Sequence, residues 1–133
     1  MVKTWFTPAT ARRALPRLKP TVEMLHRLFA EMESRRPVDP ASDRRVDPLY
    51  FAMLDRLLRG LRRLERAGLR VDDLRHGLLD FPALRGGRPV LLCWRVGEPS
   101  LDFWREPGNR EIRVRVDDTG PWDAPPGRRE SLC

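Results

Sequence analysis

Asp80, Glu98 and Asp102 are three carboxylates set close to two guanidinium groups, Arg95 and Arg105, and to the indole of Trp104, all in one short run of a 133-residue chain. Carboxylates grouped in this way suit general acid–base transfer or the binding of a hard cation such as Mg²⁺ or Ca²⁺. The arginines suit recognition of an anionic group, and Trp104 offers a flat apolar contact. His76, beside Gly77 and just upstream of these acids, is the histidine best placed to act as base or ligand. Cys93 lies inside the apolar run Pro89–Trp94, a context that suits an inert thiol better than a nucleophile. His26 borders an apolar helical stripe and reads as a boundary residue. The chain has no P-loop, no Rossmann glycine pattern and no nucleophile elbow.

The elements that must position these residues can be read from periodicity. Beyond Gly68 the apolar spacing shortens from about 3.6 towards 2, and residues 77–84, 89–94, 100–104 and 112–116 read as short strands. Arg85-Gly86-Gly87-Arg88 is a hairpin signal, because both central residues tolerate positive φ. A two-residue loop there sets Asp80 opposite Cys93. A second two-residue loop at Gly97-Glu98 would set Cys93 opposite Asp102. Side chains alternate across a sheet, so this register gathers Leu79, Phe81, Ala83, Val90, Leu92, Trp94, Leu101 and Phe103 on one apolar face. The opposite face is mixed: Leu78, Asp80, Pro82, Leu91, Cys93, Arg95, Asp102 and Trp104. On it Arg95 is diagonal to Asp80 and Asp102, so a plain Asp–Arg–Asp ion ladder beside Trp104 competes with any functional reading.

Two helices precede the strands. Thr7-Pro8 is a cap followed by a proline at the first helical position. Pro16 and Pro20 predict a short helix to about Ala14, a kink, and a longer helix to Ser34. Leu15, Leu18, Val22, Leu25, Phe29 and Met32 form its apolar stripe. After a Pro/Asp-rich linker at 37–46, Asp47-Pro48 starts a second helix to about 67, with Tyr50, Leu54, Leu57, Leu61 and Leu64 as its stripe. Gly60 either permits close approach or is merely tolerated, and Gly68 ends the helix. The expected fold class is α+β: an antiparallel two-helix hairpin (7–68) packed on a small antiparallel sheet of three to four strands (71–116). These make one domain, 1–116, followed by a Pro/Gly-rich mobile tail, 117–133, with Trp122 as a candidate anchor.

The totals narrow the class of function. Net charge is +7, and 24 of the 26 basic residues are arginine, only Lys3 and Lys19 being lysine. The charge is spread along the chain without a block of like residues, which weakens a nucleic-acid reading. The strongest basic feature is the second helix, where Arg56, Arg59, Arg62, Arg63, Arg66 and Arg70 lie off the stripe. No apolar run reaches membrane-span length and no leader pattern is evident. Two cysteines, Cys93 and Cys133, read as reduced thiols of a cytoplasmic protein. A structural zinc site is not expected, and no cofactor is named by the residues.

Three stretches carry a resemblance: Phe6-Thr7 with Ala11, Leu15-Pro16 and Pro20; Gly77-Leu78-Leu79-Asp80-Phe81-Pro82-Ala83; and Leu92-Cys93-Trp94-Arg95-Val96-Gly97-Glu98-Pro99 followed by Phe103-Trp104. In these the chain resembles the bacterial domain-of-unknown-function family 2203 over roughly residues 5–108. Members resemble Trp-His-Asp/Glu where this chain has Trp104-Arg105-Glu106, and they carry acids where this chain has Ala9 and Thr10. If the family's histidine serves a metal or a proton transfer, the resemblance implies that this chain lacks the step or draws it from His76. It implies no known activity. The expectation is therefore a non-catalytic domain binding a small polar ligand or a protein partner through Asp80, Arg95, Glu98, Asp102, Trp104 and Arg105, with homodimerisation through the same face. The alternatives are a metal-dependent enzyme using Asp80, Glu98 and His76, and a nucleic-acid or ribosome-associated protein using the arginine-rich helix.

Overall fold

The computed structural model describes residues 4–35, 48–109 and 111–123. Helix α1 spans Pro8–Ser34. Thr7 caps it through a reciprocal box: the Thr7 hydroxyl accepts from the Thr10 N–H at 3.1 Å, and the Thr10 hydroxyl accepts from the Thr7 N–H at 2.8 Å. The expected break does not occur, since the helix runs through both Pro16 and Pro20. Both rings lie on its exposed side, where water can reach the carbonyls that they leave without a donor. Ala11, Leu15, Val22, Leu25 and Met32 bury the opposite side and hold the helix continuous.

Helix α2 spans Pro48–Arg66, while the linker 37–46 and the Asp47 cap lie outside the described residues. Its buried line is Met53, Leu57, Gly60 and Leu64: Leu57 and Leu64 belong to the expected stripe, whereas Met53 and Gly60 are buried in place of Leu54 and Leu61, which are half-buried together with Tyr50. Gly60 allows close approach: a Cβ there would lie 2.5 Å from Leu25 Cδ2 of α1. Gly68, at φ +84°, closes α2, with its N–H on the Glu65 carbonyl and the Leu69 N–H on the Leu64 carbonyl.

The two helices pack on a five-stranded antiparallel sheet in the order β1-β2-β3-β4-β5, one strand more than expected. The strands are β1 Arg70–Asp73, β2 Leu78–Arg85, β3 Arg88–Arg95, β4 Phe103–Arg105 and β5 Val114–Arg115. The unforeseen strand is β1, which carries a register shift between Val71 and Asp73. The first hairpin has the expected register: Arg85 pairs Arg88 across Gly86-Gly87, both at positive φ, and Asp80 faces Cys93.

The second hairpin does not. Cys93 faces Phe103, not Asp102, and Leu92 faces Trp104. The connection is a longer loop, not a two-residue turn. The Glu98 N–H donates to the Arg95 carbonyl, the Trp94 indole N–H donates to the Glu98 carbonyl at 3.0 Å, and Leu101 drops fully into the core. Burying Leu101 in the loop turns β4 over by one residue. Trp104 therefore joins Leu79, Phe81, Ala83, Val90, Leu92 and Trp94 on the helix-facing side, and Phe103 and Arg105 move to the mixed face.

Strand β5 adds to the free edge of β4. The chain expected to leave the domain at Asp117 stays on it to Asp123. The Gly86 N–H donates to the Pro121 carbonyl, the Asp123 N–H to the Leu84 carbonyl, and the Gly87 N–H to the Asp123 carboxylate. Trp122 meets Trp104 edge-on at 6.2 Å, and Arg85 lies over both indoles. Residues 124–133, with Cys133, lie outside the described residues. Among the described residues, no helix is long and apolar enough to cross a membrane.

Candidate functional site

Strand pairing places Arg70, Asp80, Cys93, Phe103 and Arg115 in one row across the mixed face. Arg105 projects from the neighbouring row, opposite Leu91. Its guanidinium reaches back to Asp80, with Nη2 donating to Asp80 Oδ2 at 2.7 Å and lying 3.4 Å from Asp72 Oδ2. Both members of the Asp80–Arg105 pair are about 1% exposed. The pair is incompletely satisfied, because Asp80 Oδ1 and Arg105 Nε and Nη1 are buried without a partner.

A second arginine–carboxylate pair lies on the same face, nearer to solvent. Arg113 donates Nη1 to Glu98 Oε2 and Nη2 to Glu98 Oε1, both at 2.8 Å, and Glu98 Oε1 also accepts from the Arg95 N–H at 2.7 Å. Arg113 stacks 4.3 Å from the Phe103 ring centroid, its Nε lies 3.4 Å from the Cys93 sulfur, and its Nη2 donates to the Cys93 carbonyl.

Burial decides how these groups titrate. Loss of solvent pushes the Asp80 carboxyl above its ordinary value, although the hydrogen bond and charge of Arg105 pull the other way. Partial burial also raises Glu98, but its hydrogen bonds from Arg113 and from the Arg95 N–H outweigh that and hold it below the usual carboxylate range. The hydrogen bond to Glu98 holds the Arg113 guanidinium above its usual value. Burial likewise pushes the Cys93 thiol up, against the opposing pull of Arg113, so Cys93 is held as a thiol and not as a nucleophilic thiolate.

The structure redistributes the residues picked out by sequence. Asp80, Arg105 and Glu98 share the mixed face, but the cation on Asp80 is Arg105, not Arg95. Arg95 is exposed and makes neither side-chain pair, so the Asp80–Arg95–Asp102 ladder does not form. Asp102 leaves this face with the β4 register: it accepts from the Ser100 hydroxyl at 2.7 Å and lies 4.0 Å from Arg12. Trp104 lies under Arg85 on the core side. His76 is exposed and bonded through Nδ1 to Asp73 at 2.7 Å, not to Asp80 or Glu98. Among the described residues, no three His, Cys, Asp or Glu side chains are grouped to hold a metal ion. On α2 and its exit, Arg56, Arg59, Arg62, Arg63, Arg66 and Arg70 are all exposed, and Arg59 pairs with Asp55.

Sequence reasoning missed Arg113, Arg115 and Asp72, and it counted Arg70 with the arginines of the second helix, whereas the structure pairs it with Asp80 across β1 and β2. The alternation in Ile112-Arg113-Val114-Arg115-Val116 already put both arginines on one side of a strand. Pairing β5 to β4 was the information that turned that side towards Phe103.

Fold and site define a small α+β domain with a helix-backed meander and an outer sheet face held by arginine–carboxylate pairs. The chain belongs to the family described as Uncharacterized conserved protein (DUF2203), which matches residues 4–110. No curated protein and no solved structure matches it.

Proposed function

We propose that this chain is a non-catalytic binding domain whose mixed sheet face takes a small polar ligand with an anionic group. The observation that carries the reading is the Asp80–Arg105 pair, sunk in the middle of the sheet with three polar atoms unpartnered. Each such atom costs about 1–3 kcal/mol, and more when charged, so a ligand that engages them offsets that cost. Charge favours an anion: Arg70, Arg95, Arg105, Arg113 and Arg115 outnumber Asp72, Asp80 and Glu98 around this face. The raised Cys93 thiol and a histidine engaged elsewhere supply no nucleophile–base pair, which supports binding over catalysis. We place its work in the cytoplasm, where a buried, reduced Cys93 is the ordinary state.

Native mass spectrometry of the full chain beside its denatured mass tests this. The expected result is excess mass on the native species that disappears in Arg105→Met. The same spectrum reads whether two copies associate, and loss of that species in Arg105→Met would tie it to this face. A native species without excess mass, unmoved by a panel of small anionic metabolites, would overturn the reading.

A further inference from the structure

The side of the helical layer that faces away from the sheet is basic. On α2 the line Met53, Leu57, Gly60 and Leu64 is buried, and Arg56, Arg59, Arg62, Arg63 and Arg66 are all exposed. At about 100° per residue these five fall within an arc of roughly 120° opposite that line. On α1 Arg13, Arg17 and Arg27 are exposed and share one stripe with Pro20, opposite the buried Leu15, Val22 and Leu25. The close approach of Leu25 to Gly60 sets the two rows side by side. The exposed acids nearby are Glu31, Asp55 and Glu65, and two of these are already engaged: Glu31 lies 3.4 Å from Arg35 and Asp55 2.7 Å from Arg59. Among the described residues, the arginines of both rows other than Arg59 have no ion-pair partner. Charge that is scattered along the sequence is thus gathered on one surface by helix packing.

Two adjacent rows of guanidinium groups suit a polyanion with repeating charge. An anionic bilayer would call for apolar side chains in the middle of the basic face, to enter the lipid. Here the exposed Leu49, Phe51 and Leu58 stand at the edges of the α2 arc. A single nucleic-acid strand would call for aromatic rings among the arginines, on which bases stack. Within the arc there is none among the described residues. Packed helix axes lie about 8–10 Å apart, between the roughly 6 and 12 Å widths of the B-DNA grooves, so each row can follow the phosphates of one strand. Two helices side by side are wider than the major groove, which keeps the arginines on phosphates and off base edges. The chain also has no glutamine and a single asparagine, Asn109, so it lacks the amides that read adenine. We propose that the outer side of the α1–α2 layer is a docking surface for duplex DNA, held through its phosphates without reading of base sequence. The mixed face lies on the other side of the sheet, so this proposal is independent of the reading above.

Fluorescence anisotropy of the full chain with a labelled DNA duplex tests it. Binding at about 50 mM salt should weaken by about 100-fold by about 200 mM, as counterion release from about four phosphates requires. A duplex of unrelated sequence should bind within about threefold. Arg56→Gln combined with Arg63→Gln should flatten the slope of log affinity against log salt by about 2, and Arg17→Gln by about 1. These exposed changes should leave the circular dichroism spectrum unaltered. Arg115→Gln, on the mixed face, should leave DNA binding as it is. No binding at low salt, an affinity indifferent to salt, or a loss in the helix variants no greater than in Arg115→Gln would overturn the proposal. Tighter binding to an RNA duplex of the same sequence, or to phosphatidylserine vesicles, would overturn it too.

Discussion

The two faces of the sheet are held by different physics. Against the helices, Leu79, Phe81, Ala83, Val90, Leu92 and Trp94 are at most 1% exposed and carry no charge. Their contribution scales with apolar area removed from water and is indifferent to pH. On the outer face, residues just as buried are charged: Asp80 of β2 and Arg105 at the end of β4 flank Cys93 of the central strand β3. Equal burial on the two faces therefore has opposite meanings. Within the outer face a second contrast appears. Asp80 and Glu98 both pair with arginine, but deeper burial moves Asp80 up while hydrogen bonding moves Glu98 down. A carboxylate's pairing does not set its titration until its access to water is known.

The contrast can be sharpened by substitution, beginning with the largest effect. Phe81→Ala, on the helix side beneath the Phe6 edge contact, should cost about 3–5 kcal/mol. Urea unfolding should give the same loss at pH 7 and at pH 4. Arg105→Met should cost about 3–5 kcal/mol at neutral pH, because Asp80 is left buried without its cation. That loss should shrink on acidification as the orphaned carboxyl takes up a proton. Adding Asp80→Leu to Arg105→Met should recover most of the loss, and failure to do so would mean that the pair does more for the fold than compensate itself.

Smaller effects follow on each side. Gly60→Ala drives a methyl against the buried Leu25, and overpacking of about 1–3 kcal/mol should outweigh a helix-propensity gain of up to about 1 kcal/mol. Leu25→Ala should then cost less in the Gly60→Ala background than in the wild-type chain, which a double-mutant cycle reads directly. Glu98→Gln should cost about 1 kcal/mol or less, given a side chain 20% exposed. Because the folded Glu98 carboxyl lies below its ordinary value of 4.5, its contribution is complete above that value and disappears as pH falls through the lower, folded one. Asp80 has the opposite sign: its raised carboxyl makes the ionised form a burden that grows as pH rises past 3.8, so acidification relieves it. Stability curves of Glu98→Gln and Asp80→Asn against pH should therefore depart from the wild type in opposite directions at low pH.

Much of this was legible in local chemistry. Thr7-Pro8, Gly68 and Gly86-Gly87 each act through backbone geometry over a few residues, and the helix start, the helix stop and the first hairpin register lie where those residues put them. Pro16 and Pro20 misled because a proline's local cost was weighed without the buried face that pays for it across the helix. Strand β1 was missed because Arg70-Val71-Asp72-Asp73 offers a single apolar residue, and its strand form comes from pairing with β2.

The candidate site divides along the same line. Sequence alone placed Asp80 beside Cys93, because a two-residue glycine turn leaves no freedom in register. It placed Asp80, Glu98 and Arg105 among the residues to watch. It had no means of deciding whether Arg95 or Arg105 would meet Asp80, since that turned on whether Leu101 would be counted as strand or buried in a loop. A shift of one residue in β4 exchanges the faces of Trp104 and Arg105, and the free energy that selects it is the burial of a leucine and an indole against helices distant in sequence. Local rules determined the elements and one hairpin. The helices, by claiming Leu101 and Trp104, decided which arginine was left facing the buried acid.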